Sequence, residues 1–202
     1  MLKLPEVTQL QKSLPKVQIY RKFQLTNSQQ TKFDADISRI DIVNEVSSRT
    51  IPSIKEGEKV KSFYVLSVTL KTKNYETRNI ERIAKLIPQN LVFSLQFEEE
   101  IQIAVFCEKV FATDWMPESK ASSQLTGLNF DEVWENIIKK IEGGEWNNDL
   151  TLKENIEIKD KKEKLEKEIN RLEKLARKEV QPKKKFELVN QKRKLEEELK
   201  KL

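Results

Sequence analysis

The sequence has no histidine and a single cysteine, Cys107. Without histidine there is no Ser-His or Cys-His nucleophile, no imidazole acid–base chemistry and no imidazole metal ligation. With one cysteine there is no intramolecular disulfide framework. Cys107 stands in an apolar run, where a small buried core residue is expected. Glycine is scarce. Gly57, Gly127, Gly143 and Gly144 are the four, and none belongs to the Gly-rich loop that cradles a nucleotide phosphate. No run approaches the roughly 18 apolar residues of a membrane span. Met1–Pro5 lacks the apolar core of a signal peptide, so the cytoplasm follows by elimination. No cofactor is implied, although carboxylate-based Mg²⁺ chemistry stays open.

What is present is charge. Charged residues make up 35% of the 202 and hydrophobic ones 37%, which leaves part of the chain with little core of its own. The charge is unevenly placed. Residues 151–202 hold 18 Lys and Arg against 12 Asp and Glu, whereas residues 1–150 hold 20 against 21. A basic tail points to an anionic partner such as nucleic acid. The interspersed signs favour the plainer reading of a solvated helical face.

The pattern along residues 1–145 predicts one α+β domain. Leu14-Pro15-Lys16, with Val17, Ile19 and Phe23, reads as an extended lead-in. Ser28 is placed to cap a short helix through Phe33 and Ile37. Ile40, Ile42 and Val46 alternate as in a strand, with a helix as the competing reading. Pro52 and residues 54–59 form a polar loop. Phe63–Leu70 is a strand with Tyr64, Leu66, Val68 and Leu70 on one face. Thr77 or Asn79 caps a helix whose Ile80, Ile83, Ala84 and Ile87 share a face, ended by Pro88-Gln89-Asn90. Leu91–Phe97 and Ile101–Cys107 alternate across an acidic turn and form a β-hairpin. The second of these strands is expected to run on through Val110 and Phe111 towards Trp115. Asn129 and Glu132 make a capping-box start for a helix bearing Phe130, Val133, Trp134, Ile137, Ile138 and Ile141, stopped by Gly143-Gly144. Together these give a small, mainly antiparallel sheet of about four or five strands with flanking helices.

Residues 151–202 change character. They contain no glycine and only Pro182. Ile158, Leu165, Ile169, Leu172 and Ala176 follow 4-3 spacing, as do Leu188, Leu195, Leu199 and Leu202 beyond Gln181-Pro182. Two heptad-like arms about one breaker predict a charged antiparallel coiled-coil hairpin, each arm ~30 Å long. A single kinked helix that dimerises is the alternative, and the oligomeric state stays open. Leu165, Ile169, Leu172, Leu188, Leu195 and Leu199 are the candidate partner-binding residues. Lys183, Lys184, Lys185, Lys192 and Arg193 are the candidate nucleic-acid contacts.

The order and spacing of several blocks carry a resemblance across nearly the whole chain. They are Leu14-Pro15-Lys16 with Phe23, Phe33–Ile40, Phe63–Lys71, Asn79–Pro88, Leu91–Lys109, Leu125–Ile141 and Lys178–Leu202. The sequence resembles an uncharacterised bacterial domain-of-unknown-function family found beside SNF2-type helicase and type III-like restriction–modification genes. The resemblance supplies no catalytic residues. It implies an accessory component of bacterial anti-phage defence, working beside a larger helicase, methyltransferase or nuclease.

Catalysis is weighed against this. A restriction-type nuclease needs a strand bearing Asp/Glu-x-Lys, with carboxylates on Mg²⁺. Lys71 ends a strand, but Thr69 occupies the acidic position. Glu108 and Lys109 are adjacent, so they leave opposite faces. Asp160-Lys161-Lys162 fits the pattern within the tail, away from any core. No catalytic residue and no metal ligand is assigned, and the expectation is a protein that binds rather than catalyses. Trp134 is read as core, Trp146 as packing at the hairpin base, and Trp115 is undecided.

Overall fold

Near-continuous apolar runs in Phe63–Leu70 and Leu91–Phe97 build strands buried on both faces, so a covering layer is needed on each side of the sheet. The computed structural model describes residues 4–121, 125–143, 146–147 and 150–201. They fall into two compact units, Met1–Gly144 and Glu145–Leu202. Gly144, Glu145 and Leu202, used in the sequence reading, lie outside the described residues.

The first unit is α+β. Its elements are β1 (Gln9–Ser13), α1 (Lys16–Lys22), α2 (Asn27–Asp36), β2 (Ile37–Ser47), β3 (Ser62–Leu70), α3 (Thr77–Leu86), β4 (Asn90–Phe97), β5 (Glu100–Cys107), β6 (Lys109–Ala112), β7 (Met116–Pro117) and α4 (Phe130–Glu142). The sheet runs β1-β2-β3-β4-β5-β6, with β7 also pairing β5. It has seven strands rather than four or five. The short, mostly exposed β1 and the two-residue β7 carry no alternation to announce them. Every pairing is antiparallel except β3–β4, the parallel neighbours that α3 connects.

One face of the sheet carries Leu66, Val68, Leu70, Leu91, Phe93, Leu95 and Ala104 and packs under Ile19, Phe33, Ile80 and Ile83 from α1, α2 and α3. The opposite face presents Phe63, Val65, Val92 and Val105. Phe63 meets Phe130 edge-on at 6.4 Å and Trp134 at 5.9 Å, both from α4. A bulge in β2 between Ile42 and Asn44 switches which residues point to which face. Ile42 therefore lies with the α1–α3 layer, and Val46, opposite Phe63, with α4. The strand reading of residues 40–46 holds, and the helical alternative does not.

Local chemistry corrects several expectations. Residues 16–22 are helical rather than extended, because Ile19, Tyr20 and Phe23 fall on one helical face against the core. The N-cap of α2 is Thr26, not Ser28. Thr26 and Gln29 close a reciprocal capping box, with the Thr26 N–H donating to Gln29 Oε1 at 2.9 Å. Neither Thr77 nor Asn79 caps α3. Glu76 holds the N-cap position, and both its N–H and the Asn79 amide donate to Asp36 Oδ2 at 2.8 Å. The strand after the hairpin does not run on to Trp115. The chain turns at Glu108, φ 61°, and β6 folds back along β5. Cys107 beside this turn is half-buried rather than core. Asn129 caps α4 as read, accepting the Glu132 N–H at 3.0 Å, and Gly143 ends it at φ 67°.

Asp131, in the first turn of α4, holds the 54–60 loop. Its carboxylate accepts the N–H groups of Glu58 (2.7 Å), Lys59 (3.1 Å) and Val60 (2.6 Å). Gly57 lets that loop approach, since a Cβ there would meet Asp131 Oδ1 at 2.4 Å.

The second unit is a helical hairpin of α5 (Leu152–Lys178) and α6 (Pro182–Leu199). A Thr151–Glu154 capping box starts α5, and Pro182 opens α6 at its first helical position, where the missing N–H costs nothing.

Candidate docking surface of the helical hairpin

The hairpin is assembled by periodicity. On α5, Ile169, Leu172 and Ala176 are buried and Leu165 is half-buried. On α6, Leu188, Leu195 and Leu199 are half-buried. Two ion pairs fix the antiparallel register. Lys161 Nζ lies 3.1 Å from Glu198 Oε1, and Lys192 Nζ lies 3.2 Å from Glu173 Oε2. Hydrogen bonds from Lys192 and Arg177 hold the Glu173 carboxyl below its usual range, and the bond to Glu173 raises Lys192. The six candidate partner-binding residues are therefore chiefly seam residues. α5 places its share deep, and α6 leaves its share partly open.

The candidate cations separate. Lys183, Lys184, Lys185 and Arg193 are exposed. Lys192 is drawn towards α5, between Glu173 and Glu196. The turn also carries apolar side chains that the heptad reading did not use. Leu175, Val180 and Phe186 are 43%, 90% and 67% exposed, three of the six exposed large hydrophobic residues among those described. They break the heptad register, which is the signal that would have found them.

The outer side of α5 forms a shallow concavity lined by Lys167, Asn170, Arg171, Lys174, Leu175 and Lys178. Sequence reading passed over these cations, although their 4-3-4 spacing matches that of the apolar seam with an offset.

In the first unit several polar side chains tie elements together. Lys16 Nζ (2.5 Å) and Tyr20 Oη (2.7 Å) both donate to Asp34 Oδ1, tying α1 to α2. Burial pushes the Asp34 carboxyl up, but those two hydrogen bonds and the charges of Lys16 and Lys71 bring it below its usual range. Tyr20 is raised by burial and by Asp34. Tyr75 Oη donates to Gln102 Oε1 at 2.8 Å, and burial raises it to about 12. Thr69 and Lys71 are exposed. No group of three or more Asp, Glu or Cys placed to hold a metal occurs among the described residues. Burial and the Glu108 charge push the Cys107 thiol up, away from the thiolate a nucleophile requires.

Trp134 is buried in the core, and Trp146 is half-buried. Trp115 packs partly against the sheet core, with Lys73 Nζ 5.7 Å above its ring. A cavity of 520 Å³ lies between α4 and the sheet, lined mainly by apolar residues including Phe63, Val92, Ile103 and Ile137. No helix among the described residues is long and apolar enough to cross a membrane.

No curated protein and no solved structure matches the chain. Residues 2–199, nearly its full length, match the family described as domain of unknown function (DUF4391), and the chain belongs to that family.

Proposed function

We propose that this chain is a non-catalytic accessory subunit of a bacterial anti-phage or restriction-like system. It docks on a larger helicase, methyltransferase or nuclease through its α+β unit and its hairpin. The observation that carries this reading is the apolar cluster at the hairpin turn. Val180 and Phe186 are largely exposed beyond a seam that already buries Ile169 and Leu172. Such side chains gain free energy only by being covered, and a partner groove supplies the cover. The family resemblance adds the setting, with helicase and restriction–modification genes as neighbours. The absence of histidine and the raised Cys107 thiol fit a role in binding.

Expression with the native neighbouring genes tests it. Tagged wild-type chain is expected to retain a stable partner. Val180→Asp with Phe186→Asp is expected to release that partner while the chain stays folded, and unchanged retention by this variant sinks the reading. The purified chain is also expected to cleave neither DNA nor RNA with Mg²⁺. Mg²⁺-dependent cleavage that disappears in Lys71→Ala reinstates the restriction-type nuclease.

A further inference from the structure

The seam residues of α5, Leu165, Ile169, Leu172 and Ala176, repeat at intervals of four, three and four. Lys167, Arg171, Lys174 and Lys178 repeat at the same intervals. At ~100° per residue the two series lie on opposite sides of the helix. The cations thus form one row on the face turned away from α6, about 16 Å from end to end. They line a single concavity with Asn170. Glu168 is the one carboxylate paired with the row, 3.1 Å from Arg171 Nη1, and both side chains are well exposed. Lys167, Lys174 and Lys178 make no ion pair among the described residues. Intrahelical pairs elsewhere on this hairpin, such as Arg177–Glu173, show that a lysine-rich and glutamate-rich helix neutralises itself where its spacing allows. In this row only Arg171 is so matched among the described residues, and its three lysines are left unneutralised.

We infer that this outer face of α5 binds the phosphate backbone of double-stranded nucleic acid. A straight row of cations matches a ligand that holds its phosphates in a fixed array. Duplex DNA presents about one charge per 1.7 Å of axis, so four cations over this length each find a phosphate within reach. Single strands are ordinarily held by aromatic stacking as well as charge. Residues 152–178 contain no Phe, Tyr or Trp, which favours the duplex. No base-reading constellation accompanies the row, so the contact is independent of sequence. The concavity shares Leu175 with the apolar turn, but the docking proposal is tested at Val180 and Phe186, outside the row, and the inference does not depend on it.

Fluorescence anisotropy of the full-length chain with a labelled DNA duplex tests it across about 50–200 mM salt. Wild type is expected to bind with an affinity that falls steeply with salt. Lys167→Gln, Arg171→Gln, Lys174→Gln and Lys178→Gln together are expected to weaken binding more than tenfold. They should also flatten the log–log salt slope by about 3–4, since each phosphate contact contributes about 0.9. Glutamine preserves helix propensity, and circular dichroism checks the fold. If the quadruple variant loses helicity, the pairs Lys167→Gln/Arg171→Gln and Lys174→Gln/Lys178→Gln replace it, each expected to remove about half of the slope change. An unaltered affinity and slope overturns the inference. So does single-stranded DNA that outcompetes the duplex, or polyglutamate that displaces it at equal charge concentration, which would point to an acidic protein surface instead.

Discussion

The Asp131 carboxylate accepts three successive backbone N–H groups from a loop more than seventy residues earlier in the chain. Its partial burial pushes the group up, but the Val60, Glu58 and Lys59 amides and the Lys59 charge hold it below its ordinary value of 3.8. The folded form therefore prefers the ionised acid. Its contribution to stability is complete above that ordinary value and is lost as pH falls through the lowered one. Asp131→Asn is expected to destabilise the α+β unit by about 1–2 kcal/mol at neutral pH. The gap between variant and wild-type melting should narrow in acid, and a gap independent of pH refutes the assignment. Ser94 presents the opposite case. It is 1% exposed, and its hydroxyl has no hydrogen-bond partner among the described residues. Ser94→Ala is expected to leave melting unchanged or raise it, by up to about 1 kcal/mol, because an unpaired buried hydroxyl costs free energy. A marked loss of stability would show that the hydroxyl is satisfied. Asn129 with Glu132 was legible because the pair is local and precedes a long apolar face, whereas the equally local Thr26–Gln29 pair, before a helix with one buried residue, was not. Asp36 serving the start of α3, forty positions on, left no local signature.

Elements with a full apolar period read cleanly, and those without one did not. β4 and β5 alternate along their length, and α4 and the hairpin arms keep helical spacing. β1 offers only Leu10 as an apolar residue, and α1 has one buried side chain, Ile19, in seven residues, so neither registers as a pattern. Adjacent apolar residues on α5 separate the two jobs of that helix. Leu172 is 6% exposed and Leu175 is 43% exposed. Leu172→Ala is expected to weaken the hairpin by about 2–3 kcal/mol, whereas Leu175→Ala should stay within about 0.5 kcal/mol. Hydrogen exchange at the α5 and α6 amides reads this directly, with acceleration in the first variant and little change in the second. Equal acceleration in both would mean that the seam is not where the burial places it.

At the scale of the whole molecule, the chain divides at Gly144 into units held together by different means, a sheet core in one and a two-helix seam in the other. Residues 1–145 alone are expected to melt in one cooperative transition, and a gradual, non-cooperative melt would argue against an independent domain. The switch from mixed patterning to glycine-free heptads lies close to the same place in the sequence. The partner surfaces are less visible, because exposed cations and apolar residues at a turn are common on solvated helices. Only their placement on one face or at one end gives them meaning.

The strand order β1-β2-β3-β4-β5-β6 is also the order in which the ribosome delivers the strands. From β1 to β6 each strand finds its neighbour already made, and only the two-residue β7 is added out of order, against β5. The β4–β5 and β5–β6 turns are tight, and the longer β1–β2 and β3–β4 connections carry helices of their own, so the entropy of closure is paid stepwise along the chain. The sheet and its α1–α3 layer can therefore assemble during synthesis. The surface that waits is the one bearing Phe63 and Val92, which stays uncovered until α4 emerges. For a nascent chain, that is the interval in which a chaperone is most useful.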